Sequence, residues 1–135
     1  MKLTILSILA ISLFAGLCTA QDDDAYKAAM KSVNASAGGR GGGALGAAIT
    51  AKDTAAAAAE AKKIQAGFDT ILAYWTAKKV DDAIAFATTA RDAAKTIADS
   101  SDADAQAAAR MKLTAVCGQC HMAHRGGMPP NFEIK

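Results

Sequence analysis

The stretch SDADAQAAARMKLTAVCGQCHMAHR, Ser101 to Arg125, decides how this chain folds. Alanine and unbranched side chains dominate it, and Ser101-x-x-Asp104 resembles a capping box at its start. Gly126-Gly127 and then Pro129-Pro130 mark its stop, so a helix is predicted to about Arg125. On that helix Cys117 and Cys120 fall on the same side of one turn, directly before His121. Cys-x-x-Cys-His is the spacing at which two thiols can each form a thioether to a vinyl group along one haem edge while a neutral imidazole meets the iron. One covalently attached haem c is therefore the expected cofactor, with Cys117 and Cys120 as anchors and His121 as the iron ligand. Ala107, Thr114, Cys117, Gly118, His121 and Arg125 share a broad face on a helical wheel, and most are small enough to leave room for a flat macrocycle between helices.

Other chemistries explain less of these residues. A thioredoxin-like dithiol needs a preceding strand and a βαβ context, which the sequence does not offer. A structural zinc site needs four convergent ligands, whereas Cys117, Cys120, His121 and His124 crowd two turns of one helix. The blandest reading is a haem-free helical protein whose two thiols form a disulfide.

At the other end, Lys2, the apolar run Leu3 to Leu17 and the small residues Cys18-Thr19-Ala20 read as a secretory signal cleaved before Gln21. Leu17 stands where a lipoprotein site carries a small residue, so lipidation of Cys18 is the lesser reading. The expected organisation is a signal peptide over 1–20 and one domain over 21–135, located in the periplasm and not inserted in the membrane after cleavage. The mature chain keeps only the two motif cysteines, which suits an oxidising compartment. The sequence holds 15 basic and 13 acidic residues, and loss of Lys2 leaves the mature domain near neutrality. Scattered lysines and few aromatics give no nucleic-acid signature.

Four helices and no strand are predicted, an all-α chain. The first starts near Asp22 to Asp24 and carries Tyr26, Met30 and Val33 on one stripe. Gly38 to Gly46 is glycine-rich and reads as a loop or a locally broken helix. Its Gly41-x-Gly43-x-x-Gly46 matches a dinucleotide fingerprint by letter only, since no strand precedes it. The second helix, about Thr54 to Ala77, has the clearest apolar stripe: Ile64, Phe68, Ile71, Leu72 and Trp75. Trp75 has two roles open to it, core packing and pocket wall. The third, about Asp81 to Ala98, has a thinner stripe of Val80, Ile84, Ala87, Ala94 and Ile97.

A haem motif near the C-terminus, four expected helices and an arginine four residues beyond the haem histidine together resemble the class II cytochromes c, the cytochrome c-prime family. The specific part is Cys117, Cys120, His121 and Arg125 in Cys-Gly-Gln-Cys-His-Met-Ala-His-Arg. The rest of the mature chain matches in architecture, although the glycine tract departs from the family's smooth first helix. Class I cytochromes carry the motif near the N-terminus instead. The resemblance implies an antiparallel four-helix bundle holding the haem near one end. It also implies one of two activities. Members with an open or leucine-blocked distal side bind gases such as nitric oxide or carbon monoxide; members with a first-helix methionine there are low-spin electron carriers.

Met30 lies where the low-spin members place that ligand, and the other role open to it is filling the core between Tyr26 and Val33. Met128 follows His121 too closely to reach the opposite haem face, and His124 lies on the same side of the macrocycle as His121, reading as a rim or solvent-facing residue. Met111 and Met122 read as packing or surface positions. Arg125 either screens a haem propionate or the proximal imidazole region, or complements the helix C-terminus. The leading expectation is a periplasmic electron carrier, not an enzyme, with His/Met axial ligation and redox proteins as partners. The alternative is a five-coordinate gas binder. Exposed alanine-rich helix faces leave room for homodimerisation.

Overall fold

The computed structural model describes residues 15–38, 41–128 and 131–135. The apolar core of the expected leader up to residue 14, and Pro129-Pro130, lie outside them. The chain is all-helical, with five helices and one small two-stranded sheet among the described residues. Helix α1 spans Ala15–Ala37, α2 Gly43–Thr50, α3 Thr54–Lys78, α4 Asp81–Asp99 and α5 Ala103–His124; strands β1 Arg125–Met128 and β2 Asn131–Ile134 close the chain. Among the described residues no helix is long and apolar enough to cross a membrane.

Three departures from the sequence reading have physical causes. Helix α1 starts at Ala15, upstream of Asp22 to Asp24. Asp23 lies inside it and is satisfied from α3: Tyr74 Oη donates to Asp23 Oδ1 at 2.9 Å, and Lys78 Nζ lies 3.5 Å from the same oxygen. The tyrosine hydrogen bond outweighs the opposing effect of burial and, joined by the Lys78 charge, holds the Asp23 carboxyl below its ordinary pKa.

The glycine tract is only partly a loop. Gly42 and Gly43, at φ 76° and 61°, make the left-handed turn that admits α2. Leu45 and Ala48 are buried, so packing outweighs weak propensity there. With α1 rather than a strand before it, the Gly41-x-Gly43-x-x-Gly46 match has no phosphate-loop context.

The third departure is the hairpin. β1 and β2 pair antiparallel, with Arg125 opposite Ile134 and Met128 opposite Asn131. Its end is tied back to α5 where Lys135 N donates to His124 O at 2.9 Å.

The remaining helices follow their signals closely. Asp53 caps α3, its Oδ1 accepting from Ala56 N at 2.9 Å. The cap of α5 is Asp102, one residue beyond the expected Ser101, and its Oδ1 accepts from Asp104 N and Ala105 N. The α3 stripe forms the core as expected: Ile64, Phe68, Ile71 and Trp75 are buried, while Leu72 packs against it half-exposed. From α4, Ala87, Ala94 and Ile97 are buried, and Val80 and Ile84 are partly so. α1 lies close on α3 because a Cβ at Gly67 would meet Val33 Cγ2 at 2.5 Å.

α3 packs on α4 and α4 on α5, while α1 packs on α3 and α2. α1 and α5 share no comparable contact. The long helices thus form a ring left open between the first and the last.

The far end of α5 is closed by Gln106, which is 1% exposed. Its Nε2 donates to Thr54 O, Ile97 O and Ser100 O at 3.0, 3.1 and 2.9 Å, joining the start of α3 to the end of α4. Gln106→Ala would leave these carbonyls without that donor and open a void. It is expected to lower unfolding free energy by about 2 to 4 kcal/mol, read by urea denaturation followed by circular dichroism.

Candidate functional site

The gap between α1 and α5 is a cleft of about 530 Å³. Tyr26, Met30 and Val33 line it from α1, Phe68 and Ile71 from α3, Phe86, Ala87 and Ala90 from α4, and Val116, Cys117, Cys120, His121 and His124 from α5. The hairpin supplies Arg125, Phe132, Glu133 and Ile134. Every sequence-predicted site residue therefore meets in one place: Met30 from the first helix, Cys117, Cys120 and His121 from the last, and Arg125 just beyond it.

The helical spacing explains which part of α5 lines the cleft. Gln106, Ala109, Leu113 and Val116 are buried, and Cys117, Cys120, His121 and His124 continue that face. The face expected from the wheel is therefore rotated: Thr114 and Gly118 are exposed, and Arg125 lies on β1 after the helix has ended. Cys117, Cys120, His121 and Met30 are all half-buried. Trp75 does not line the cleft. It is 1% exposed and packs behind it, with its ring centroid 5.6 Å from Tyr26 and 5.1 Å from His124.

Burial, with Cys120 adding to it, pushes the Cys117 thiol up to about 11. Burial and the nearby Asp82 carboxylate raise Cys120 as well. At neutral pH both are free, protonated thiols. A dithiol built for thiol–disulfide exchange needs the opposite shift, toward thiolate. His121 is held below the ordinary histidine value by burial and then by the Arg125 charge, so its imidazole is neutral and a nitrogen lone pair is free to coordinate. Burial, then Cys120, also keeps the Tyr26 phenol protonated.

Of the two readings of His124, rim and solvent-facing, the second does not hold. It is a cleft-wall residue, its Nε2 3.0 Å from Asp82 Oδ2 and its ring beside Trp75 and Phe86. Helical spacing signals that it shares a side with Cys117 and Cys120, but only tertiary structure brings Asp82 to it. Arg125 stacks its guanidinium over Phe132 at 4.1 Å from the ring centroid. Met111, Met122 and Met128 are exposed and away from the cleft. Among the described residues no three His, Cys, Asp or Glu side chains converge as a metal-ion site.

Comparison with family models, curated proteins and solved structures gives no match to this chain.

Proposed function

We propose that this chain is an exported c-type cytochrome that carries electrons on one covalently attached haem, in a four-helix arrangement of α1, α3, α4 and α5 with the haem near one end. The observation that carries this reading is the meeting of Met30, Cys117, Cys120 and His121, from opposite ends of the chain, in one cleft. The cleft also suits the group. Its volume of about 530 Å³ lies within the range of cofactor pockets, and its depth is lined by Val33, Phe68, Ile71, Ala87, Ala90 and Val116, a wall suited to a flat apolar body.

When bound, the haem would supply one-electron chemistry at iron. The chain's residues do the rest. Cys117 and Cys120 would hold the haem covalently, each S–H adding across one vinyl group with its sulfur on one carbon and its hydrogen on the neighbouring carbon. His121 would offer its neutral imidazole to the iron. Met30 would offer a soft thioether from α1, the opposite wall. Ligands held by both walls would limit rearrangement between oxidation states, which would favour electron transfer to redox partner proteins over substrate chemistry. The apolar wall would keep water from the metal.

Visible spectra of oxidised and reduced protein, purified from a host that matures c-type cytochromes, test this reading. A low-spin c-type spectrum is the expected result, and a protein without a haem band overturns it.

A further inference from the structure

We propose that Lys27 and Lys31, with Asn34 beside them, form a carboxylate-binding rim that holds the two haem propionates at the mouth of the cleft, an inference that rests on the haem reading above. On α1 the positions 27, 30, 31 and 34 fall on one face, and all four side chains line the cleft. Tyr26 and Val33, on the other flank of Met30, are buried, while Lys27, Lys31 and Asn34 are exposed. The α1 wall therefore grades from aromatic and aliphatic to amine within about one turn, with the Met30 thioether between.

A haem has the same gradient. Its vinyl-bearing half is apolar and its other half carries two carboxylates, which cannot be buried without cationic or hydrogen-bonding partners. Thioethers to Cys117 and Cys120 commit the vinyl half to α5. The carboxylate half is then left to the mouth. Lys27 and Lys31 stand one helical turn apart, about 6 Å between Cβ atoms, and can take one carboxylate each.

The other charged or titratable groups of the cleft are worse partners. Glu133, from the hairpin, repels a carboxylate. His124 is engaged with Asp82 from α4. Arg125 has its guanidinium over Phe132 and its charge beside His121. Neither Lys27 nor Lys31 makes an ion pair among the described residues, and Asp23, which Lys27 influences, already has Tyr74 and Lys78. The assignment moves the propionate contact from Arg125 to α1.

The experiment uses the haem-loaded protein and the double variant K27Q/K31Q. A second pair, K62Q/K112Q, removes the same charge at exposed positions outside the cleft. Two readouts are taken: the propionate-bending band in the resonance Raman spectrum and the ferrous-to-ferric ratio at a fixed ambient potential. In K27Q/K31Q the band is expected to shift. The ratio is expected to fall roughly tenfold, equivalent to about 59 mV for one electron, because two cations near the haem favour its reduced form. K62Q/K112Q should leave both near wild type. A band unmoved in K27Q/K31Q, or moved only by Arg125→Gln, overturns the assignment while the haem reading stands. Wild-type protein that carries no haem overturns the functional reading itself, and this inference with it.

Discussion

Protein matured in a cytochrome c-competent periplasm is expected to have the mass of the chain from Gln21 to Lys135 plus one haem, and the haem should resist acid-acetone extraction. This is the largest effect expected, since a double Cys117→Ser, Cys120→Ser variant should fall from full covalent occupancy to none. Either single substitution should impair attachment by removing one of two thioethers. His121→Ala should leave the anchors and remove the proximal nitrogen, so its damage should be to iron coordination and to folding around the cofactor. The geometry makes this a sharp test. Both thiols are half-buried in the cleft wall, and they are not joined to each other, so both are available for thioethers. Haem that extracts freely would sink the assignment, and a lipid mass on a retained Cys18 would replace export as a free protein with tethering to a membrane.

Met30→Ala is expected to convert a low-spin protein into a largely high-spin one, and to raise carbon monoxide uptake by the reduced form from near none to near complete. The side chain lines the cleft from α1, across from the His121 wall, and packs against the core with Tyr26 and Val33 on its flank. Removing it would open space on the α1 side of the cleft, where a sixth ligand is expected. It also deletes a partly buried side chain, so unfolding free energy should fall by about 2 kcal/mol, toward the low end for such truncations. Optical spectra and carbon monoxide titration of the reduced proteins read the first effect, and thermal melts read the second. Wild-type protein that is already high-spin and takes up carbon monoxide at once would put the gas-binding function first and leave Met30 as core packing.

The parts of the fold legible in the sequence are those whose signals are local. Ile64, Phe68, Ile71 and Trp75 repeat at helical spacing over a long α3, and the Asp53 cap and the left-handed Lys79 bound it. The Cys-x-x-Cys-His motif is equally local, and its position near the chain end carried the family resemblance. α2 was not legible, because glycine weakens a helix that only the burial of Leu45 and Ala48 sustains. The hairpin was hidden for the same kind of reason. Of its strands, RGGM has no alternating apolar pattern, NFEI alternates over only four residues, and the two pair over four positions each. Met30 could be placed on a helix but not opposite Cys117 until α3 and α4 had set the spacing of the outer helices. The Asp82 and His124 contact, and the Lys27 and Lys31 rim, depend wholly on that spacing.

Gln106 gives the molecule a mechanical polarity. It fastens three backbone ends together about 20 Å along α5 from the cysteines, while at the cysteine end the first and last helices stand apart. One end behaves as the sprung joint of a pair of tongs and the other as its jaws. Amide hydrogens of α1 from Tyr26 to Ala37 should thus exchange faster than those around Gln106 when the jaws are empty, and the difference should shrink once a rigid body fills them. Evolution can then alter the grip, by changing residues on α1, without loosening the joint.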